Sequence, residues 1–421
     1  MKLTINKDHI TNLFISYLIL FFPILLATGS FFVNLLQVII CFHGIYVLFK
    51  KKIKFESYIY ILLILFIYSF LNTIINHNYY YIKNSFIFIK IFLFILSFNF
   101  LFYHEYLSEE KLLKVFNIIL IIFLFDVFYQ FYFEKNILGF EIEQNNKIRL
   151  TSFFKDEYVV GGFLFRLFYP LVIYQIFLNK NNFKKKLFFS FLFVLLNICI
   201  ILSGERSSLI FIFAFFLIVS IFYVKFRKAI FFLLILFSII FVFINILNPK
   251  LQDRLINQTF DKTFRISSDL GYKNKFLDNH YMAIYLSSYE IWKENILFGN
   301  GIRSYRLYSC NNNEILINKI EKFSNHANFI CSTHPHNYIL ELLVDLGLIG
   351  LILWTMFVIL IVIEINKTKK LENLFCSFMG INFLVIFWPL NVHGSIFSSW
   401  NSSFYLFILA ILFSQKRIFK S

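Results

Sequence analysis

Long apolar runs, broken at intervals by short polar stretches, dominate this chain from end to end. About twelve can be drawn, at roughly 11–28, 30–49, 57–75, 84–103, 112–133, 159–178, 187–203, 207–224, 229–247, 337–363, 371–388 and 396–414. Each approaches the ~20 residues that a helix needs to cross a bilayer. With 59% hydrophobic residues, 62 Phe and 15% charged residues in 421 positions, the composition excludes an ordinary soluble domain. The pattern predicts an all-α polytopic membrane protein. Spans one to nine fill residues 1–247 and leave a short external segment at 134–158; residues 248–336 form an external loop subdomain; spans ten to twelve fill 337–421. The first run is long and lacks a small-residue cleavage site, so it reads as a retained span rather than a signal peptide.

Short loops rich in Lys and Arg stay on the cytoplasmic side, which orients these spans. Lys50, Lys51, Lys52 and Lys54 mark one such loop, Lys180 with Lys184 to Lys186 a second, Lys225, Arg227 and Lys228 a third, and Lys367, Lys369 and Lys370 a fourth. All fall on one side, joined by both termini through Lys2, Lys7, Lys416, Arg417 and Lys420. The net charge of +16 is thereby accounted for as topology signals beside anionic membrane lipids. No basic segment is interleaved with base-stacking aromatics in a soluble module, so nucleic acid is not an expected partner.

Function is expected on the opposite side, in 134–158 and in the long loop, since long loops in an economical bundle are functional or disordered. Aromatic and aliphatic periodicity over Tyr281 to Trp292 predicts a helix there. Cys41, Cys199 and Cys376 fall within apolar spans as small buried hydrophobes. Cys310 and Cys331 lie in the loop, where an oxidising compartment permits a bridge; closing about twenty residues would contribute ~3 kcal/mol. The alternatives are two free thiols or a metal site of Cys331, His334 and His336, which lacks a second cluster at zinc spacing.

Four polar constellations stand on the external side. THPHNYILELLVDLGLIG, from Thr333 to Gly350, sets His334 and His336 at the start of span ten and spaces Asn337, Glu341 and Asp345 by four, in one polar stripe. There the helix N-terminus can hold an anion while an imidazole handles a proton; the bland alternative is that the histidines cap the helix and the carboxylates pair within the bundle. SGERSS, Ser203 to Ser208, puts Arg206 on the first turn of span eight, with a fork suited to phosphate oxygens or simply snorkelling. In KIRLTSFFKDEYVVGGFLFRLFYP, Arg149 precedes span six and Arg166 falls inside it, where Asp126 of span five is a candidate partner. Between Asn279 and Arg306, His280 leads the amphipathic segment, and FGNG at Phe298 to Gly301 precedes Arg303 and Arg306; a turn is the default reading of FGNG.

Together these residues resemble the O-antigen ligase family and its relatives among the Wzy-type polysaccharide polymerases. The resemblance rests on SGxR at Ser203 to Arg206, FGxG with a following arginine at Phe298 to Arg303, RLTSFFKDEYVVGG at Arg149 to Gly162, and above all on HPHNYILELLVDLGLIG. It covers about residues 149 to 394. It implies a GT-C-like helical fold with a large helical periplasmic loop between helices nine and ten, in a bacterial inner membrane with cytoplasmic termini. It also implies metal-independent, inverting transfer of a glycan from an undecaprenyl diphosphate-linked donor to a sugar hydroxyl of lipid A-core, with no cofactor. By match of motif, His336 would deprotonate the acceptor and Arg206 would grip the diphosphate. Arg149, His334, Asn337 and Glu341 are candidate substrate contacts. The loop arginine expected to assist has no single heir among Arg265, His280 and Arg303. Polymerase chemistry on the same donor is the runner-up, and a polysaccharide transporter a third reading.

Overall fold

The structure, a computed structural model, describes residues 7–142, 149–259, 280–311, 314–324, 326–389, 391–392 and 394–414. Helices α1 (Lys7–Leu20), α2 (Phe22–Ala27), α3 (Ser30–Lys50), α4 (Ser57–Ile75), α5 (Ile82–Ser85), α6 (Ile87–Tyr103) and α7 (Glu109–Phe133) are followed by α8 (Val160–Leu178), α9 (Phe183–Leu202), α10 (Arg206–Phe222) and α11 (Arg227–Leu247). The loop carries α12 (Pro249–Gln252), α13 (His280–Trp292), α14 (Ser304–Cys310) and α15 (Glu314–Glu321); α16 (Tyr338–Lys370), α17 (Leu374–Ile386) and α18 (Ser399–Phe413) complete the bundle. Eight of these elements are long and apolar enough to cross a membrane, and α10, α17 and α18 are shorter apolar helices. The chain is a polytopic helical membrane protein. The first expected span is split into α1 and α2, where Pro23 sits in the first turn of α2, a position that proline tolerates. Lys135 and Glu141 form an isolated antiparallel β-bridge.

Helix starts follow local chemistry. Ser108, Asn182, Asn373 and Ser398 each accept a backbone N–H from the first turn of α7, α9, α17 and α18, satisfying donors that the helix cannot. Between the caps, exposure sorts the helices into layers. Every residue of α8 from Val160 to Ile176 is buried, so α8 is central. In α11, Phe231, Phe232, Phe243 and Ile246 are exposed, as a lipid-facing helix requires.

The two ends of the bundle differ. At one, Lys50 pairs with Asp8 at 3.5 Å, Lys225 with Glu372 at 3.9 Å, and Lys369 lies over Tyr223. At the other, Asn78 after α4 donates to the Asn300 carbonyl at 2.8 Å, which brings the long loop onto the mouth of the bundle. Loop helices α13, α14 and α15 share a small core of Ala283, Ile284, Ile291, Tyr305, Leu316 and Ile320, entered by Val344 of α16. Cys310 and Cys331 are joined in a disulfide with Cα atoms 4.6 Å apart, so the Cys331 sulfur is no metal ligand.

The suggested Arg166–Asp126 pair does not form. Asp126 accepts instead from Ser152 Oγ at 2.5 Å and Ile137 N at 2.8 Å, fastening the segment between α7 and α8 to α7. Arg166 lies between the rings of Phe211 and Phe404, 5.5 and 5.1 Å from their centroids, with Asn401 Oδ1 3.4 Å away. Aromatic faces replace the missing carboxylate.

Candidate active site

The stripe on α16 divides into parts with different work. Asn337 caps the helix, its Oδ1 accepting from Ile339 N and Leu340 N at 3.0 and 3.2 Å, and its Nδ2 donates to the Pro389 carbonyl at 2.8 Å. The histidines are therefore not the caps, and two of the first-turn amides expected to hold an anion are already engaged. Glu341, fully buried, accepts from Ser395 Oγ and, at 2.9 Å, from Ile396 N. It ties the segment before α18 to α16.

Asp345 serves a break in the helix. Gly347 adopts φ 65° and ψ −167°, which opens the backbone ladder in mid-helix. The turn read as FGNG fills the gap: Asn300 N and Gly301 N donate to the carbonyls of Val344 and Asp345, both at 2.9 Å, while Leu348 N and Ile349 N donate to Ile296 and Leu297 at 3.0 and 3.2 Å. Side chains lock it further. Asp345 accepts from Arg303 N at 2.8 Å, Ser304 N at 3.1 Å and Ser304 Oγ at 3.0 Å; Tyr68 and Asn72 of α4 both donate to the Phe298 carbonyl, at 3.1 and 2.6 Å. A Cβ on Gly347 would stand 2.3 Å from the Leu297 carbonyl oxygen, and one on Gly299 2.4 Å from Gly347 N. Both glycines are required by this close approach and by their positive φ. FGNG is thus a backbone splint, and Arg303 belongs to it.

Cations gather elsewhere at this mouth. SGERSS turns between α9 and α10, and its Glu205 accepts from Gly162 N at 2.7 Å and Ser207 Oγ at 3.0 Å. That contact explains the paired glycines at the start of α8: a Cβ on Gly161 would lie 2.5 Å from Ser203 Oγ, and one on Gly162 2.9 Å from Glu205 Oε1. Arg206, next in the turn, donates through Nε and Nη2 to the Arg254 carbonyl at 3.1 and 2.6 Å, and through Nη2 to Gln258 Oε1 at 3.2 Å. Arg254 returns a bond from Nε to the Gly204 carbonyl at 2.9 Å. Arg149 completes the group, its guanidinium 4.3 Å above the Tyr158 ring and donating to the Tyr158 carbonyl at 3.0 Å.

Three guanidiniums are thus held largely by neutral carbonyls. Burial, then repulsion from Arg149 and Arg206, pushes Arg254 down to about 10, which leaves it cationic at neutral pH. Arg149 is also pulled below its usual range, first by burial, against the favourable charge of Glu205.

Tyr281 connects this cluster to the histidines. It lies within electrostatic reach of both Arg149 and Arg206, and its ring meets that of His336 edge-on at 5.7 Å. His336 itself has φ 58°, a left-handed conformation costly for a residue with a Cβ. Its Nε2 lies 3.2 Å from Ser332 Oγ, and its ring centroid 4.2 Å from that of His334. Burial first, and the nearby His280 second, hold His336 below its ordinary 6.5, so the imidazole is neutral at physiological pH. His280, at the start of α13, packs edge-on to Phe329 at 5.7 Å.

The structure therefore brings together Arg149, Arg206, His280, His334 and His336, and sets Asn337, Glu341 and Arg303 into supporting roles. Arg265 lies outside the described residues. Arg254 was not among the sequence candidates. Its signal was its place, seven residues after α11 ends at Leu247, where a span delivers a side chain to the mouth.

A cavity of about 640 Å³ lies at the same end of the bundle, between α2, α7 and the segment that joins α7 to α8. It is an apolar crevice lined by Ile24, Ile119, Phe123 and Phe153 and edged by Lys155, Asp156 and Glu157, the last beside Tyr158.

A family model described as O-Antigen ligase matches residues 191–355, from α9 to the first half of α16. The match contains SGERSS, Arg254, FGNG and HPHN, and stops short of Arg149. No curated protein matches the chain.

Proposed function

We propose, from the match of residues 191–355 to the O-antigen ligase family model, that the chain transfers a glycan from an undecaprenyl diphosphate carrier to a sugar hydroxyl of lipid A-core, on the periplasmic face of a bacterial inner membrane. The observation that carries the reading is the convergence of Arg149, Arg206 and Arg254 with a neutral, half-buried His336 at one mouth of the bundle. The lysine-rich end, with both termini, is then cytoplasmic.

As the sugar–phosphate bond breaks, the leaving diphosphate gains charge. Arg206 and Arg254, already fixed by their reciprocal bonds, stabilise that charge without reorganising, and Arg149 adds a third cation. Their mutual repulsion falls when the diphosphate sits between them. Neutral His336 accepts the proton of the acceptor hydroxyl as that oxygen attacks the anomeric carbon from the face opposite the leaving group, so the centre inverts. Ser332 and Tyr281 orient the ring. The apolar crevice beside Tyr158 offers the prenyl chain a course along the bundle. The arginines supply the charge that a divalent ion supplies in other diphosphate-dependent transfers, so we expect the reaction to need none.

Lipopolysaccharide and carrier-linked glycan are compared in a deletion strain, the wild type and His336→Ala. Long polymer stranded on the carrier, with bare lipid A-core, is the expected result. A single repeat attached to the core would instead mark a polymerase on the same donor, and unchanged glycan in His336→Ala would remove the base assigned here.

A further inference from the structure

We propose that Lys83 and Lys90 form a second anion site, separate from the arginine cluster, which holds the phosphate of a membrane lipid while its chain lies along α3 and α6. Two cavities meet at these lysines. One, about 270 Å³, is polar and is lined by Lys83, Lys90, Asn34, Asn84, Ser399 and Ser402. The other, about 500 Å³, is an apolar groove that opens to the lipid side between Val38, Phe42 and Phe86 and shares both lysines.

Lys90 lies in the first turn of α6, inside a span, where a charge requires a partner. Its ammonium donates one bond, to Gln37 Oε1 at 3.0 Å. The Gln37 amide is fixed in that sense because its Nε2 donates to the Ser399 carbonyl and Ser403 Oγ, both at 2.8 Å. Asn84 is fixed likewise on the Phe397 carbonyl at 2.7 Å. None of the ion pairs among the described residues involves Lys83 or Lys90; Lys83 rests over the Tyr80 ring, 5.3 Å from its centroid. Two cations without a carboxylate, beside amides and hydroxyls and at the head of an apolar groove, match a phosphate carrying an acyl chain. These lysines also depart from the basic clusters, which gather at the other end of the bundle. Topology signalling does not account for them.

The test uses the full-length protein in detergent, with native mass spectrometry reading retained phosphatidylglycerol against phosphatidylcholine. The wild type should retain the anionic lipid preferentially. Lys83→Gln/Lys90→Gln should weaken that preference by about tenfold or more, as two near-surface lysines imply, and Lys83→Arg/Lys90→Arg should keep it. Should the double variant lose its melting transition, Lys83→Gln alone, at an exposed position, should weaken retention by about fivefold. Arg206→Ala should leave retention unchanged. Equal retention of both lipids, loss of retention in Arg206→Ala, or displacement by inorganic phosphate alone would overturn the proposal; the second would place the lipid at the arginine cluster, and the third would identify a site for free phosphate.

Discussion

The carboxylates of α16 are buried and the arginines at its mouth half-buried, and these ionisable groups meet their partners in opposite ways. Asp345 accepts three bonds from the FGNG turn and α14, and Glu341 two from the segment before α18. Their acceptor capacity is spent on fixed protein donors. Arg149, Arg206 and Arg254 donate mainly to backbone carbonyls and repel one another, with Glu205 as the nearby carboxylate. A buried charge whose partners all come from the chain holds the fold together. One left with neutral partners beside like charges is arranged for something that arrives.

The sharpest way to break this comparison is to remove one group from each side. Arg206→Ala and His336→Ala should each lower transfer by about 10²–10⁴-fold, the range of a positioned base or charge, with protein abundance unchanged. Arg206→Lys should also fail, because the two-pronged contact with Gln258 and the Arg254 carbonyl needs a planar fork. Membrane immunoblots beside the glycan gels check this. Equal falls in protein and activity would put the arginines in the same class as the carboxylates.

Asp345→Ala should do the reverse. Three donors around one carboxylate lose their acceptor, at about 1–3 kcal/mol each if all stay buried, and the splint across the helix break loosens. Abundance and melting temperature should drop, while transfer per folded molecule stays near that of the wild type. Normal abundance with lost transfer would make Asp345 part of the chemistry.

Much of this division was legible in the chain, and the reasons it was not wholly so are particular. The spans followed from apolar run length, and the helix over Tyr281 to Trp292 from periodicity, because both are local properties. HPHN and SGER marked the mouth because ionisable groups next to apolar runs are costly. Spacing by four could show only that Asn337, Glu341 and Asp345 share a face; it could not show that the face is buried against FGNG and the segment before α18. That is long-range information, set by the φ of Gly347. Arg166 was matched with Asp126 by charge, while the fold answered it with two phenyl rings. Arg254 was passed over because one arginine in a long loop carries no pattern. Its place just after α11 puts it at the mouth, and the reciprocal bonds across SGERSS single it out.

Arg254→Ala tests that last assignment with an intermediate effect. The variant should lower kcat/KM for the diphosphate donor by about 10–100-fold, as loss of one charge-assisted contact implies, and Arg254→Lys should recover part of it. Recovery without regard to charge, for instance by Gln, would leave Arg254 as a strut for the Gly204 carbonyl.

The smallest effect expected is a shift in pH dependence. A base must be unprotonated, and His336 is held below 6.5 chiefly by burial and then by His280. The midpoint of the acid limb should therefore lie below 6.5, where the imidazole takes up a proton. His280→Phe keeps an aromatic ring against Phe329 and removes the neighbouring charge, so the acid limb should move to higher pH while remaining below 6.5. Because His280 is itself held below 6.5 by burial and by His326, it carries charge only at the acid end of this range, which keeps the shift small. An acid limb above 6.5 in the wild type would mean that the group titrating in the rate is not this half-buried imidazole, and His336 would join the carboxylates as a structural residue.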